Sequence, residues 1–350
     1  SLKGIAVTLF DDNGEVATTM TDANGEYTFS SLTAATVYRV EFVIPMFFEE
    51  GAYGSNSGTS VQFVESGSCD ANLGLLDIAR YCGSTNPNFV VPCYNNGDPM
   101  HPSNSTSTGL AQFEYSDSGE SPASTYTNYA DFGTIGPVWG TAYSRTHEAM
   151  YTSSLLKRHV GLGPGGVGAI YQRPDAGDNT SATVFYDFGA TAGIVASNAV
   201  RFPGNGTGFG EEGSCGMCDN VDPTTFDQVG KTGLGDVEID AQDNVMFVSN
   251  LYDRKIYAIN MDNPVAGSAM PLPGMPWLSN APCANGIARP WGLKYYRGKL
   301  YVGVICDGST SGCSFTNACN DLTAIVYAYD GISWTEEISF PLNYYRKAYR

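Results

Sequence analysis

Residues 21–32, TDANGEYTFSSL, join a tight-turn sequence to the alternating pattern of a β-strand. The Asn-Gly pair at residues 24–25 tolerates the positive φ angles that a tight hairpin turn requires. Tyr27 and Phe29 then alternate with polar residues, as on a strand that buries one face. Residues 4–11, GIAVTLFD, show the same alternation and supply a partner strand a short distance upstream. The stretch therefore predicts one half of a β-hairpin in an all-β module.

The alternating pattern continues along the chain and predicts a β-sandwich over residues 1–76. Apolar residues alternate again at residues 38–42, 61–63 and 73–75, and turn sequences rich in Asn, Asp and Gly punctuate the segment. Short strands separated by regular turns are typical of sandwich folds.

Three motifs make this segment resemble the SdrD B-like repeat, a Cna-B-related domain of bacterial surface proteins. They are the GIAVTLFD opening, the TDANGEYTF hairpin at residues 21–29 and the Tyr-x-Val-x-Phe strand at residues 38–42. The resemblance implies an extracellular stalk or spacer module. The family's usual first strand and its Asp/Asn-rich calcium loop would precede residue 1, so the resemblance also implies a sheet with one open edge.

Residues 77–137 have the least regular pattern and predict a disulfide-containing linker. The stretch from residue 95 to residue 122 is rich in Gly, Ser, Thr and Pro, a composition typical of linkers. One strand is expected within it, at residues 110–115.

A diffuse repeat within residues 138–350 predicts the blades of a β-propeller-like domain. Repeats of about 40–50 residues with several short strands each are typical of propellers. Residues 184–202 leave room for a further copy, and TEEISFPL at residues 335–342 is expected to begin a blade that the chain does not finish. The three clearest copies lie at residues 138–172, 234–260 and 290–330.

These copies resemble the propeller segments that follow SdrD B-like modules in large multidomain surface proteins. The expected fold class is therefore all-β, with an N-terminal β-sandwich followed by a β-propeller-like domain.

The composition indicates a secreted, turn-rich protein. Charged residues make up 15% of the 350 residues, while Gly (41) and Tyr (22) are abundant. The net charge of −18 argues against a nucleic-acid partner, which would require clustered Lys and Arg, and it suits weak binding of Ca²⁺. No apolar run approaches the roughly 20 residues needed to span a bilayer. No signal peptide is visible, so we expect a mature or partial product of a secreted precursor.

The nine cysteines indicate disulfides formed in an oxidising compartment. The odd number leaves at least one cysteine unpaired or paired outside this segment, and the connectivity stays open. The Cys-x-x-Cys at residues 215–218 lacks two further zinc ligands at a suitable spacing, which favours a loop disulfide. The expected local pairs are Cys82–Cys93, Cys215–Cys218, Cys283–Cys306 and Cys313–Cys319. Three sequons, at Asn104, Asn179 and Asn205, are candidate N-glycosylation sites.

Calcium is the one cofactor that the sequence suggests. Carboxylate and amide oxygens in the turns of the first module are suitable ligands, although the same side chains stabilise turns without a metal. In GDVEID, Asp236 and Asp240 are expected on one strand face, pointing into a propeller channel that holds either an ion or water. The calcium candidates are Asp11, Asn13, Asp22, Asn24 and Asp236.

Two further motifs favour structural over functional interpretations. Residues 161–166 match G-x-G-x-x-G, but Pro164 interrupts the motif and a strand, not a helix, is expected after it, which argues against nucleotide binding. The basic trio at residues 157–159, Lys-Arg-His, either binds a carboxylate or sulfate or forms a solvated, ion-paired loop. No Ser-His-Asp, G-x-S-x-G or H-E-x-x-H pattern is present.

These observations predict a non-enzymatic, extracellular structural or adhesive protein of the cell surface. The expected partners are further copies of the chain, a carbohydrate or a cell-surface protein. If strands are exchanged at the open edge and at the unfinished blade, neighbouring chains would form a head-to-tail filament. The alternatives are a propeller enzyme of the lactonase or dehydrogenase type with a channel metal, and a carbohydrate-binding propeller.

Overall fold

A computed structural model describes residues 2–46, 48–51, 59–77, 86–117, 126–175, 181–202, 222, 224–310 and 322–342. The chain divides into two compact units, Ser1–Pro87 and Asn88–Arg350. Both units are built almost entirely from antiparallel sheets, which confirms the all-β fold class.

The first unit is a small sandwich made of a four-stranded and a two-stranded sheet. The larger sheet has the order β2-β1-β3-β5, and β4 pairs with β6. The strands are β1 (Ala6–Asp11), β2 (Gly14–Met20), β3 (Val37–Phe42), β4 (Phe48–Gly51), β5 (Val61–Glu65) and β6 (Gly74–Asp77).

The core of the first unit follows the alternation seen in the sequence. Val7 and Leu9 of β1 and the alternate residues of β3 are buried together in one cluster. Tyr27 and Phe29 pack against this cluster as partly buried side chains. Their rings meet edge to face, with centroids 5.8 Å apart.

The predicted hairpin at residues 21–32 is wrong in one respect. The turn forms, since the Asp22 carboxylate accepts the N–H groups of Asn24 at 2.8 Å and Glu26 at 2.9 Å. However, Tyr27 and Phe29 belong to no strand, because β2 and β3 already pair with the two edges of β1. This stretch contributes to the core by packing and not by strand pairing.

In the described part of the second unit, four sheets follow one another along the chain. We call them the first sheet (β7-β8-β9), the second sheet (β10–β13), the third sheet (β14–β17) and the fourth sheet (β18–β21). Their strands are β7 (Asn88–Pro92), β8 (Thr108–Glu114), β9 (Thr127–Asp131), β10 (Val138–Ser144), β11 (Ala149–Ser154), β12 (Ala169–Pro174), β13 (Thr183–Asp187), β14 (Leu234–Ile239), β15 (Val245–Asn250), β16 (Lys255–Asn260), β17 (Met270–Pro271), β18 (Ala288–Tyr296), β19 (Lys299–Cys306), β20 (Thr323–Tyr329) and β21 (Trp334–Pro341).

Helices are short in this unit. The described residues form two α-helical turns, α1 (Phe132–Ile135) and α2 (Asn198–Arg201). Single 3₁₀ turns lie at Gly166–Gly168, Gly189–Ala192 and Pro276–Ser279.

The segment expected to be a linker is part of the second unit. The expected strand at residues 110–115 is confirmed as β8, and it pairs with β7 and β9 to make the first sheet. Leu110 and Tyr129 of this sheet share a core cluster with Val138 and Tyr171 of the second sheet. Burial of these side chains joins the segment to the rest of the unit, so the unit begins near residue 88 and not at residue 138.

The three clearest repeat copies are confirmed as the second, third and fourth sheets, which are blade-like antiparallel meanders. The further copy expected at residues 184–202 is wrong, because β13 (Thr183–Asp187) pairs with β12 as the last strand of the second sheet. The unfinished blade is also wrong. TEEISFPL lies in β21, which pairs with β20 along its whole length and completes the fourth sheet.

One predicted disulfide is formed and one is not. Cys283 and Cys306 are bonded, with Cα atoms 5.4 Å apart. Cys93 is a free thiol, so the predicted bond to Cys82 is wrong. The backbone N–H of Cys93 extends the ladder to Gly109, while its sulfur turns back to within 3.9 Å of a carbonyl oxygen of its own strand. Of the other predicted partners, Cys82, Cys215, Cys218, Cys313 and Cys319 lie outside the described residues.

Replacing both Cys283 and Cys306 by Ser is expected to lower the free energy of unfolding by about 2–4 kcal/mol, because the bond restricts the unfolded chain. The bond spans 23 residues and ties the loop before β18 to the end of β19. Urea unfolding followed by tryptophan fluorescence measures the change. Cys69→Ser is the control, since Cys69 is free and exposed. An unchanged midpoint in the double variant would contradict this role.

Candidate binding surface

The same irregularity occurs in the first strand of three successive sheets. A β-bulge interrupts β10 between Val138 and Thr141, β14 between Leu234 and Val237, and β18 between Pro290 and Leu293. The residues within the bulges are Trp139-Gly140, Gly235-Asp236 and Trp291-Gly292. Because a bulge re-aims the side chains beside it, the three strands can direct these residues toward one another.

Two tryptophans meet at these bulges. The rings of Trp139 and Trp291 pack edge to face, with centroids 5.9 Å apart and planes at 89°. Trp139 is half-exposed, and Trp291 is partly buried. Within the described part of the chain, the buried indole N–H of Trp291 has no hydrogen-bond acceptor. The second and fourth sheets therefore contact each other through side chains on either side of β14.

Asp236 lies beside this pair and joins the third sheet to the fourth. One carboxylate oxygen accepts the N–H of Val237 at 3.0 Å, and the other accepts the N–H of Leu293 at 3.0 Å. Burial raises the pKa of this carboxyl above its usual range, although the two N–H groups and the nearby Lys294 act in the opposite direction. Both oxygens thus accept hydrogen bonds from backbone N–H groups. These two bonds explain the position of the carboxylate without a bound ion.

A second link between these sheets is ionic. The ammonium of Lys294 lies 3.0 Å and 3.1 Å from the two carboxylate oxygens of Glu238. Burial raises the pKa of Glu238, against the effect of Lys294. Asp240, expected to share the face of Asp236, instead caps the turn after β14 by accepting the N–H groups of Asn244 and Val245.

The second and third sheets approach so closely that position 140 has room for glycine alone. A Cβ atom at Gly140 would lie 2.5 Å from the backbone nitrogen of Val237. The buried Ser153 hydroxyl completes the junction, since it donates to the carbonyl oxygen of Gly235 at 2.5 Å and accepts the N–H of Gly140 at 3.1 Å. We use the term inner-strand surface for the side chains placed by these junctions: Trp139, Tyr143, Asp236, Glu238, Trp291 and Lys294.

Replacing Ser153 by Ala is expected to reduce the free energy of unfolding by about 1–3 kcal/mol, because two buried backbone groups lose their partner. Ser154→Ala is a matched control: its hydroxyl is equally buried and makes no hydrogen bond in the described part of the chain. Chemical denaturation of both variants gives the comparison. Equal losses in the two variants would show that the Ser153 hydroxyl does not hold the junction.

The other calcium candidates lie in turns of the first unit. Asp11 accepts the N–H of Asn13 at 2.7 Å, and Asp22 accepts the N–H of Asn24. These Asx turns explain why Asp and Asn occupy the positions. Among the described residues, no three His, Cys, Asp or Glu side chains are grouped so that they could hold a metal ion. Calcium binding at these turns stays a prediction.

Of the three sequons, Asn104 can be described. Its side-chain nitrogen, the atom to which a glycan would be attached, donates to the carbonyl oxygens of Asn96 at 3.0 Å and Asp98 at 3.4 Å. Glycosylation there would replace these bonds and stays a prediction. Asn179 and Asn205 lie outside the described residues.

The glycine-rich loop lines a groove of about 400 Å³ formed with residues 187–198. The 3₁₀ turn Gly166–Gly168 leads directly into β12, and the N–H of Gly165 donates to the Tyr171 hydroxyl at 3.1 Å. A dinucleotide-binding loop would open a helix at this point. The glycine-rich segment is therefore a loop between β11 and β12, as the sequence favoured.

The backbone of the basic trio contacts a buried ion pair that sequence reasoning missed. Arg201 and Asp222, both almost fully buried, are 2.7 Å apart. The N–H of His159 also donates to Asp222, and Arg201 donates to the carbonyl oxygen of Lys157. Burial alone would raise the pKa of Asp222, but these donors hold it below its ordinary value of 3.8. The backbone of Lys157 and His159 thus belongs to a structural network.

Asp222→Asn is expected to lower the free energy of unfolding by about 3–5 kcal/mol at neutral pH, because Arg201 would be left buried without its counterion. Since the folded-state pKa is depressed, the contribution of the carboxylate is present above the unfolded pKa and is lost as the pH falls through the folded pKa. Urea unfolding at several pH values measures both effects. Asp227→Asn, at an exposed neighbour, is the control. A loss as small as that of the control would contradict the assignment.

Comparisons with known proteins identify the first unit most clearly. The family model of the SdrD B-like domain matches residues 1–68. Colossin-B of Dictyostelium discoideum is 25% identical over 351 residues, which cover 96% of this chain and 8% of that protein. Colossin-C of the same organism is 26% identical over 308 residues, which cover 83% of this chain and 28% of that protein. The chain therefore spans less than a third of the length of these relatives.

The solved structures give a weaker likeness. The luciferin-regenerating enzyme is 10% identical and covers 91% of this chain and 82% of its own, with a TM-score of 0.32. A structural similarity at this TM-score says nothing about the chemistry of this chain. Among the described residues, no helix has the length and apolar character needed to cross a membrane.

Proposed function

We propose that this chain is part of an extracellular structural or adhesive protein. The SdrD B-like match over residues 1–68 and the similarity to colossins along most of the chain support this assignment. The bond between Cys283 and Cys306 suits an oxidising compartment, and the net charge of −18 suits a soluble surface protein.

The inner-strand surface is the part of the molecule that would bind a ligand, and a carbohydrate is the class that fits it. The observation that carries this assignment is the half-exposed Trp139 ring, held against Trp291. An indole face provides apolar contact area, while the exposed ammonium of Lys294 on the same surface can donate hydrogen bonds to hydroxyl groups. The junctions between the sheets hold these side chains on strands and not on loops.

Trp139→Ala is expected to weaken binding to soluble oligosaccharides at least about tenfold, because the exposed apolar contact would be lost. A glycan array screened with the wild type identifies the sugar, and titration calorimetry with that sugar gives the affinities. Tyr252→Ala is the matched control, since Tyr252 is a similarly exposed aromatic residue of the same unit. Absence of wild-type binding to every glycan, or an equal loss in the control, would overturn the carbohydrate assignment.

A filament built by strand exchange is a further proposal, and it now concerns the first unit. The edge strands of its four-stranded sheet are β2 and β5, where a donated strand could add. Exchange at an unfinished C-terminal blade is no longer proposed, because β21 completes the fourth sheet. A propeller enzyme with a channel metal is not favoured, since both Asp236 oxygens already accept backbone N–H groups.

A further inference from the structure

The second unit is a stack in which each sheet packs against the next through apolar side chains. One core cluster joins the first and second sheets, another joins the second and third, and another joins the third and fourth. The same kind of junction thus occurs three times in one unit. These junctions show that a sheet of this unit is covered by the apolar face of another sheet.

The junction between the third and fourth sheets shows the chemistry in detail. On the third sheet, Phe247 lies opposite Ala258, and Ser249 lies opposite Ile256, so the four side chains share one face. This face meets the fourth sheet, where the ring of Phe247 stacks on Tyr295 with centroids 5.9 Å apart. A row of apolar side chains on one sheet is therefore covered by aromatic and aliphatic side chains of the next.

The corresponding face of the fourth sheet has apolar rows that no sheet covers among the described residues. Ile305 lies opposite Ala324, which lies opposite Phe340. In the neighbouring row, Val326 lies opposite Ile338. Phe340 is 45% exposed and Ile338 is 53% exposed. We call this the tail face.

At the other end of the stack, one face of the first sheet is likewise covered by no sheet among the residues that the structure describes. Phe89 of β7 lies opposite Phe113 of β8, on the side away from the cluster shared with the second sheet. The Phe89 ring contacts the rings of Phe113 and Tyr115, each with centroids 5.6 Å apart. Phe89 is 47% exposed and Tyr115 is 65% exposed. We call this aromatic surface the head face.

We propose that the tail face of one copy of this chain packs against the head face of the next. Apolar rows on the tail face and aromatic rings on the head face repeat the pairing of surfaces seen inside the unit. Contiguous exposed apolar surface is rare on a monomer and marks interaction sites. No core cluster of the described residues joins the two faces within one copy. Because the two faces differ, the contact is heterologous and extends into an open chain of copies.

Two single variants test the pairing: Ile338→Lys disables the tail face, and Phe89→Asp disables the head face. Sedimentation velocity from about 1 to 100 µM covers the weak to moderate affinities expected of such a contact. The wild type is expected to form species of increasing size with concentration, and each variant alone is expected to stay monomeric. An equimolar mixture of the two variants retains one intact face of each kind, so it is expected to form dimers and nothing larger.

Ile332→Lys is the matched control, because Ile332 is 88% exposed in the turn between β20 and β21 and lies off the tail face. It should associate like the wild type. Circular dichroism and thermal melting check folding, and Phe340→Lys replaces Ile338→Lys if that variant unfolds. A wild type that stays monomeric, a variant that dimerises alone, or a mixture that forms no dimer would overturn the proposal. Trp139→Ala should leave association unchanged, which separates this test from that of carbohydrate binding.

Discussion

The architecture of the second unit depends on the close approach of its bulged inner strands. Gly140 brings β10 against β14, and the Ser153 hydroxyl satisfies a backbone group on each side of that contact. Asp236 performs the same task between β14 and β18 through the N–H of Leu293. Bulges free backbone groups from the regular ladder, so these side chains are required to complete the hydrogen bonding of a buried junction. The exposed aromatic pair is a result of this geometry.

Much of the fold could be predicted from local sequence patterns. Alternation of period two located β1, β3 and the strands of the three repeat copies, since one buried face leaves a direct trace in the sequence. It also located β5, but with the faces reversed: Val61 and Phe63 are exposed, whereas Gln62 is buried. The turn at Asn24-Gly25 was equally clear. The structure of the residues after this turn was not clear from the sequence. Whether Tyr27 and Phe29 join a strand or only pack against the core depends on which strands already pair with the two edges of β1. That is a tertiary property.

The site was less accessible to sequence reasoning. Asp236 was singled out for its oxygens, yet one oxygen accepts the N–H of the next residue, Val237, and the other accepts the N–H of Leu293, which lies more than 50 residues away. The pairs Trp139–Trp291 and Arg201–Asp222 join segments that are separated in the sequence. The local sequence around each residue does not indicate which residue it contacts. A signal did exist for the first pair: Trp-Gly occurs at the start of two repeat copies. Aligning the copies residue by residue would have placed both tryptophans at equivalent bulges.

The Cys283–Cys306 bond has a mechanical consequence. A surface protein that bridges two bodies is loaded along its chain, and a covalent clip removes the enclosed segment from the path of the force. The bond encloses β18 and β19 within a span of 23 residues. If the fourth sheet unfolded under load, this segment could not be pulled straight, and the chain would extend by about 80 Å less than without the bond. The strand that carries Trp291 and donates the N–H of Leu293 to Asp236 lies inside this clip. Tension would therefore reach the inner-strand surface through β10 and β14 before it reached β18.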